Sequence, residues 1–421
     1  MSSTAQSASF STANPHALAS ILDAAETRSI IASRDIFDIG GTKLWARDQP
    51  VSRTLQRKLM DRQLRQPLES CLYVEDGISA RSLVQAVEAL VERGGPLAAL
   101  LKPYADEIVH SAGLLPLHPV AQLLLTAGQA SKPASFDHAI EAMAMAGALM
   151  AAHRGNTREL RVAMLCGLLH DLGEMYIDPQ YSEADADRSL DFKSYQQMVV
   201  HPHIGQLLLM QLTNYPAEVA RAVAEHHERL DGSGYPHRLS RDQISPLGCM
   251  LAVTESTLSA LRGEQPHLTR AGVSLRVVPG EFDLAWVGPV VRASYTQTPL
   301  QPTLSDEERE ARLDRLDAAL QIAVNSTSAH ALAAETPQLK QALDLAQHLL
   351  LRLRTGWNAS GLWSPEAVKA SDAAEIEAIE EELMFRLRSI QRAAQLRAGE
   401  LPEEDAVRLD LLCETLAETL R

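Results

Sequence analysis

The run His226-His227-Glu228-Arg229-Leu230-Asp231-Gly232-Ser233-Gly234-Tyr235-Pro236 constrains this chain more than any other stretch. Two adjacent imidazoles precede a turn whose glycines admit backbone conformations that other residues avoid. Neighbouring histidines of this kind can serve two metals at once. His138, the pair His170-Asp171 and His201 lie upstream, and Glu255 lies downstream. Nitrogen and carboxylate donors thus recur at intervals that bring several elements to one site, and the expectation is a two-metal centre.

The rest of the chain offers a frame for such a site. Over 421 residues, a hydrophobic content of 46% is ample for a core, with a prior of two or three domains. Aromatics stand at 4% while Ala and Leu dominate, which favours packed helices over sheets. The expected fold class is mainly α with small β elements. A formal charge of -15 opposes binding along an extended phosphate backbone, because that mode needs surplus Lys and Arg to displace counterions. No nucleic-acid partner is expected, while a small phosphorylated ligand at a metal stays compatible. Cys71, Cys166, Cys249 and Cys413 are scattered without paired spacing, which fits a reduced, cytoplasmic setting. The start lacks a basic segment followed by an apolar run, and no run of about eighteen apolar residues would cross a membrane. A soluble protein with no membrane partner is expected.

Residues 1–15 read as a disordered leader. From 16 to about 32 the pattern predicts a helix, 35–49 alternates around Gly40-Gly41 like a small hairpin, and Leu55, Leu59 and Leu64 mark a helix ending near Pro67. A further helix opens after Ser79, carries Leu83, Val87, Leu90 and Val91 on one side, and stops at Gly94-Gly95-Pro96. Residues 16–130 thus form a small α+β module without a cluster of catalytic residue types, suited to regulation, dimerisation or packing. Eight of the chain's 14 histidines fall between His138 and His237 and define a central helical domain, 131–292. Pro299 to Pro302 resembles a linker. Ser305 caps a charged helix with Leu313, Leu316 and Leu320 at helical spacing, and helices at 339–354 and 374–398 and one running to the end follow. This C-terminal helical region, 303–421, reads as a bundle or an oligomerisation element, which makes a homodimer a candidate assembly.

His170-Asp171 ends an almost wholly apolar run, 162–169. A helix buried so deeply carries the imidazole and carboxylate inside, where an ionised Asp is costly unless a cation or hydrogen bonds compensate it. Two carboxylate oxygens also let one Asp bridge two cations at the roughly 3.5–4 Å of two-metal hydrolases. On His138, His170-Asp171, His201-Pro202 with Gly205, His226-His227-Glu228 and Asp231 to Pro236, the segment from about 131 to 291 resembles the HD-GYP family. That family is a branch of the HD superfamily of metal-dependent phosphohydrolases associated with hydrolysis of cyclic di-GMP. The resemblance implies one metal on His138, His170, Asp171 and Glu255 and another on Asp171, His201, His226 and His227. It implies two divalent ions, iron or manganese for a mixed imidazole and carboxylate set, that activate water for attack on a phosphodiester, with His170 and Asp171 at the catalytic centre. Asp231, Gly232, Gly234, Tyr235 and Pro236 then shape the loop beside the site and offer a surface to a protein partner, while Arg229 either meets phosphate or pairs with the acidic loop.

Departures from the family pattern bear on activity. Members usually read His-Asp-x-Gly-Lys; this chain has Glu174 in place of that Lys, an anion where a phosphate-facing cation is usual. At about 5 Å and an effective dielectric near 20, each unit-charge interaction is roughly 3 kcal/mol, so the reversal penalises a phosphate unless solvent or a proton softens it. Glu255 stands where an Asp is usual and adds one methylene. Gln265-Pro266-His267 stands where an Arg typically precedes Pro-Tyr, and Ala134 stands where some members place a Glu for a third metal. The expected function is a metal-dependent phosphodiesterase acting on cyclic di-GMP or its linear product, with Glu174 and Gln265 among the residues near substrate. The alternatives are a catalytically impaired signalling module of the same fold and an HD hydrolase of another phosphorylated metabolite.

Overall fold

The computed structural model describes residues 10–178, 192–262, 265–398 and 401–419. It is mainly helical, and the chain divides into two compact units. One comprises the described residues within 1–188, 197–227 and 244–254, the other those within 189–196, 228–243 and 255–421.

The first unit opens with α1 (Pro15–Ala25), whose start follows from Asn14: its side chain accepts from the His16 and Ala17 amides, and Pro15 occupies the first turn, where its missing N–H costs nothing. The expected leader falls mostly on 1–9, outside the described residues; Phe10 is buried and stacks edge-on against Tyr176. The helix expected to reach 32 stops at 25, because Ile30–Ala32 forms β1 and pairs antiparallel with β4 (Leu72–Val74). Between them, β2 (Ile36–Phe37) and β3 (Lys43–Trp45) make the small hairpin expected around Gly40-Gly41. The helix expected to end near Pro67 is only α2 (Arg53–Leu59); the Leu64 amide instead bonds to the Ser11 carbonyl, a partner far away in sequence.

Next come α3 (Ala80–Glu92), started by a Ser79–Ser82 capping box, α4 (Gly95–Leu101) and α5 (Ala105–Ala112). α6 (Pro119–Ser131), α7 (Pro133–Ala152) and α8 (Thr157–Leu169) build the core of this unit. α7 is apolar nearly all round, as a helix must be when neighbours cover every face. It packs on α6 and most extensively on α8, while α1 packs on α6. α9 (Phe192–Leu212) contains Pro202, and α10 (Ala217–Glu225) packs against α8. The buried Glu225 carboxylate accepts from the Ser245 amide at 2.8 Å and fixes the approach to α11 (Pro246–Leu261).

The second unit holds the loop 228–243, then α12 (Leu268–Ser274), α13 (Leu284–Ser294), α14 (Asp306–Ala333), α15 (Pro337–Ser360), α16 (Pro365–Ala370), α17 (Ala373–Ala398) and α18 (Glu403–Thr419). Ser305 caps α14 as expected, within a reciprocal box with Glu308. Leu313, Leu316, Leu320, Leu350 and Trp357 face one another in a core closed by Ile376, Leu383, Leu409 and Leu412 from α17 and α18. Among the described residues, no helix is long and apolar enough to cross a membrane.

Candidate metal centre

Three buried histidines in the first unit share one local device. His170 occupies the C-terminal cap of α8, and its Nδ1 lies 2.8 Å from the Gly167 carbonyl. At the end of α10, His226 Nδ1 lies 2.6 Å from the Val223 carbonyl. The last carbonyls of a helix have no amide partner within it, so each end offers an acceptor to an imidazole one turn on. His201 lies inside α9, where such acceptors are normally taken. There Pro202, which has no N–H, leaves the Met198 carbonyl available, and His201 Nδ1 lies 2.6 Å from it.

A carbonyl can only accept, so each of these Nδ1 atoms donates; in the neutral ring Nε2 then carries the lone pair. Those lone pairs converge. His201 Nε2 and His226 Nε2 stand 3.1 Å apart, and Asp171 Oδ1 lies 3.3 and 3.4 Å from them. His138 Nε2 stands 3.1 Å from His170 Nε2, with Asp171 Oδ2 at 3.5 and 3.1 Å. One carboxylate therefore spans both imidazole pairs. The ligand atoms of His138, His170 and Asp171, and those of Asp171, His201, His226 and His227, each lie within 4.8 Å of one another.

Close packing produces this convergence. A Cβ on Gly167 would stand 2.4 Å from the Ala142 carbonyl oxygen, so α7 and α8 approach as they do only because residue 167 has no side chain. That contact brings His138 to His170. His138 itself lies inside α7. Its side chain therefore emerges from a rigid buried element.

Electrostatics agree with a cation. Burial pushes the Asp171 carboxyl upward, but His170, His201 and His226 outweigh it and hold the group well below the usual carboxylate range. Burial and then His227 push the His226 imidazole down to about 3, against the pull of Asp171, so it is neutral at ordinary pH. A neutral, buried His226 and an ionised Asp171 ringed by further imidazoles, nearly out of water, fit a divalent metal.

Asp171 also lines a cleft bordered by α1, α6, α7 and the segment after α8. Its walls come from α1 through His16 and Ser20, from Lys132 and Ser135 at the start of α7, and from Glu174, which is buried. Lys132, His16 and Ser20 were not singled out in the sequence. Pattern reading ties a residue to a site through motif spacing, and these reach the cleft only by packing.

In the second unit, Glu228 accepts from the His237 and Leu239 amides at 2.7 and 2.9 Å, so its carboxylate shapes the loop. Asp231 Oδ1 accepts from the Ser233 amide and hydroxyl, while Arg352 of α15 donates to Oδ2 at 3.0 Å and His348 faces the Asp231 carbonyl at 3.2 Å. Gly234 is buried, Gly232 and Tyr235 are half-buried, and the Tyr235–Pro236 peptide is cis. Arg229 donates to Ser256 Oγ at 3.1 Å, lies 3.8 Å from Glu281 and stacks on the Phe282 ring, so its guanidinium is built into this unit. Glu255 is buried with Arg262 3.4 Å away, and Gln265 is exposed, accepting from Arg270 at 3.3 Å.

A helical frame that converges buried histidines on one aspartate is what an HD-type domain provides, and residues 124–276 match the HD domain family. Together with its loop motif, this segment is similar to HD domains of the HD-GYP type, and the HD family is metal-dependent. The chain is 33% identical over 163 residues to a cyclic di-GMP phosphodiesterase of Pseudomonas aeruginosa, covering 38% of each chain. It is 31% identical over 130 residues to the cyclic di-GMP phosphodiesterase response regulator RpfG of Xanthomonas campestris, covering 30% of this chain and 34% of that one. With a 3'3'-cGAMP-specific phosphodiesterase of Vibrio cholerae it shares 32% identity over 102 residues, 24% of this chain and 21% of that one. The chain therefore spans well under half the length of the curated relatives it matches. No solved structure matches it.

Proposed function

We propose that this chain is a metal-dependent phosphodiesterase that hydrolyses cyclic di-GMP, or its linear product, in bacterial second-messenger signalling. The observation that carries the reading is the opposed pair His201 Nε2 and His226 Nε2, 3.1 Å apart beside Asp171, with both Nδ1 atoms committed to carbonyls. With both rings neutral, such a pair has no proton to share, and a metal cation between the two nitrogens would satisfy both lone pairs. We assign one ion to His138, His170 and Asp171, and a second to Asp171, His201, His226 and His227; Glu255 joins the first set on the sequence alone. Iron or manganese suits this donor set. When bound, such ions supply Lewis acidity and lower the pKa of water, the chemistry that phosphodiester hydrolysis requires.

The chain's own residues then have separate tasks. The carbonyl-anchored imidazoles hold their rings in one tautomer, so the donors stay in place without rearrangement during turnover. Asp171 keeps the two donor groups at a constant separation, and the cleft beside it admits the phosphodiester. Residues 16–130 act as a regulatory module and 303–421 as a helical extension, in a cytoplasmic protein. A homodimer and a protein docking on the loop 231–236 complete the proposed partners.

The test is protein loaded anaerobically with iron or with manganese and incubated with cyclic di-GMP, its linear product and 3'3'-cGAMP. Turnover of one of the first two is the expected result, and metal-replete protein inert toward all three would end this reading. Glu174 favours a second reading, a metal-holding signalling module without hydrolysis, because it places an anion on the cleft wall. In that case Glu174→Lys should create activity where the native chain has none.

A further inference from the structure

We propose that Lys132 is the cation that receives a phosphate of the substrate in the cleft beside Asp171, and that Glu174 orients it. This rests on the reading of that cleft as a phosphodiesterase site. Asp171 belongs both to the metal-ligand cluster and to the cleft wall, so the cleft reaches one edge of the metal centre. Among the described residues lining it, Lys132 is the one Lys or Arg; the other polar side chains are His16, Ser20, Ser135, Asp171 and Glu174.

The backbone holds Lys132 in place. It stands between the end of α6 at Ser131 and the start of α7 at Pro133, with φ -142 and ψ 75, and its amide donates to the Gly128 carbonyl at 2.7 Å. The following proline restricts it to extended backbone, which closes off the helical alternative. Lys132 is half-buried as a residue, and an ammonium within the cleft attracts a phosphate more strongly than one in open solvent, because less water screens the pair.

The departure at position 174 then changes meaning. An isolated anion on the wall would repel phosphate, whereas a carboxylate sharing a small cleft with one ammonium offsets its own charge and limits where the long Lys side chain points. Lys132 would thereby supply from the start of α7 the positive charge that position 174 lacks.

The experiment uses the full chain loaded with manganese and reads metal content, affinity for inorganic phosphate by calorimetry, and KM and kcat for cyclic di-GMP. Lys132→Gln should keep its metal, lose roughly tenfold or more in phosphate affinity and gain a comparable factor in KM, and Lys132→Arg should restore most of both. Glu174→Gln should raise KM by a smaller factor; a lower KM would show that Glu174 merely repels substrate and would overturn its orienting role. Phosphate affinity and KM within twofold of wild type in Lys132→Gln would overturn the proposal, as would a native protein that binds metal but no phosphate. If the native chain turns over no dinucleotide yet binds phosphate in a Lys132-dependent way, the substrate assignment fails while the role of Lys132 stands.

Discussion

Gly173 lies so close to His201 that a Cβ at residue 173 would stand 2.0 Å from the His201 carbonyl oxygen and 2.8 Å from the Gly205 amide nitrogen. The segment after Asp171 and α9 are in backbone contact, and that contact sets the depth at which His201 meets His226. Gly173→Ala must push α9 outward. We expect at least about a tenfold loss of metal affinity, since shifts of supporting groups cost that much at metal sites. Elemental analysis of the purified variant, beside circular dichroism to establish folding, provides the check; a folded variant with wild-type metal content would contradict the packing account.

Metal should also stabilise the fold, because the donors are gathered in the native state and dispersed in the unfolded chain. At a free metal concentration a hundred times Kd the gain is about 2.7 kcal/mol, so a chelator should lower the melting temperature of the native protein by several degrees. His226→Ala, which weakens one of the two proposed ion sites and leaves the His138–His170 set intact, should show a smaller chelator-induced drop than the native protein. An equal chelator response in both proteins would refute His226 as a ligand.

Glu69 and Tyr176 make a second buried pair in the same unit, the Tyr176 hydroxyl donating to Glu69 Oε1 at 2.6 Å. Burial pushes both the Glu69 carboxyl and the Tyr176 phenol upward. For an acid whose folded pKa is raised, the stabilising contribution is complete below the ordinary carboxylate value and is lost as pH rises toward the raised one. Glu69→Gln should therefore match the native protein near pH 4 and exceed it in stability at neutral pH, with the difference opening across that interval. Urea unfolding across the pH range measures this, and a gap that closes with rising pH has the wrong sign. Tyr176→Phe removes the donor from a buried acceptor and should cost about 1–3 kcal/mol.

In the second unit, Arg386 donates to Glu281 Oε2 at 2.5 Å, to Glu382 at 2.7 Å and to the Ser274 carbonyl at 2.8 Å, while the Glu281 carbonyl accepts the Leu230 amide at 2.9 Å. Through Glu281, α17 thus braces the loop that follows the paired histidines. Removing one member of a buried pair strands the other, so Arg386→Met should destabilise by about 3–5 kcal/mol. The double change with Glu281→Gln should recover much of that. Additive losses in a double-mutant cycle would show that the two side chains are not coupled.

That buried histidines cluster around Asp171 and that the frame is mainly helical were legible because each follows from a local rule: donor type, apolar run, capping residue. Ser79 and Ser305 start helices where the sequence says they should, for the same reason. The misreadings share the opposite cause. A helix drawn to 32 yields to β1 because its strand partner is Leu72–Val74, and one drawn toward Pro67 ends at Leu59 because the backbone at Leu64 bonds near the start of the chain. Arg229, open to two roles in the sequence, is held by Ser256, Glu281 and Phe282, none of which spacing ties to it.

By itself, the sequence determined which atoms were available to hold a metal and which segments would be helices, because donor chemistry and the 3.6-residue period belong to each residue and its near neighbours. Only the tertiary structure decided which nitrogen of each imidazole faces inward, how close α7, α8 and α9 come, and that Lys132 shares a cleft with Asp171. Those depend on carbonyls left without amides and on glycines pressed against distant backbone, relations that exist only once the chain has closed on itself.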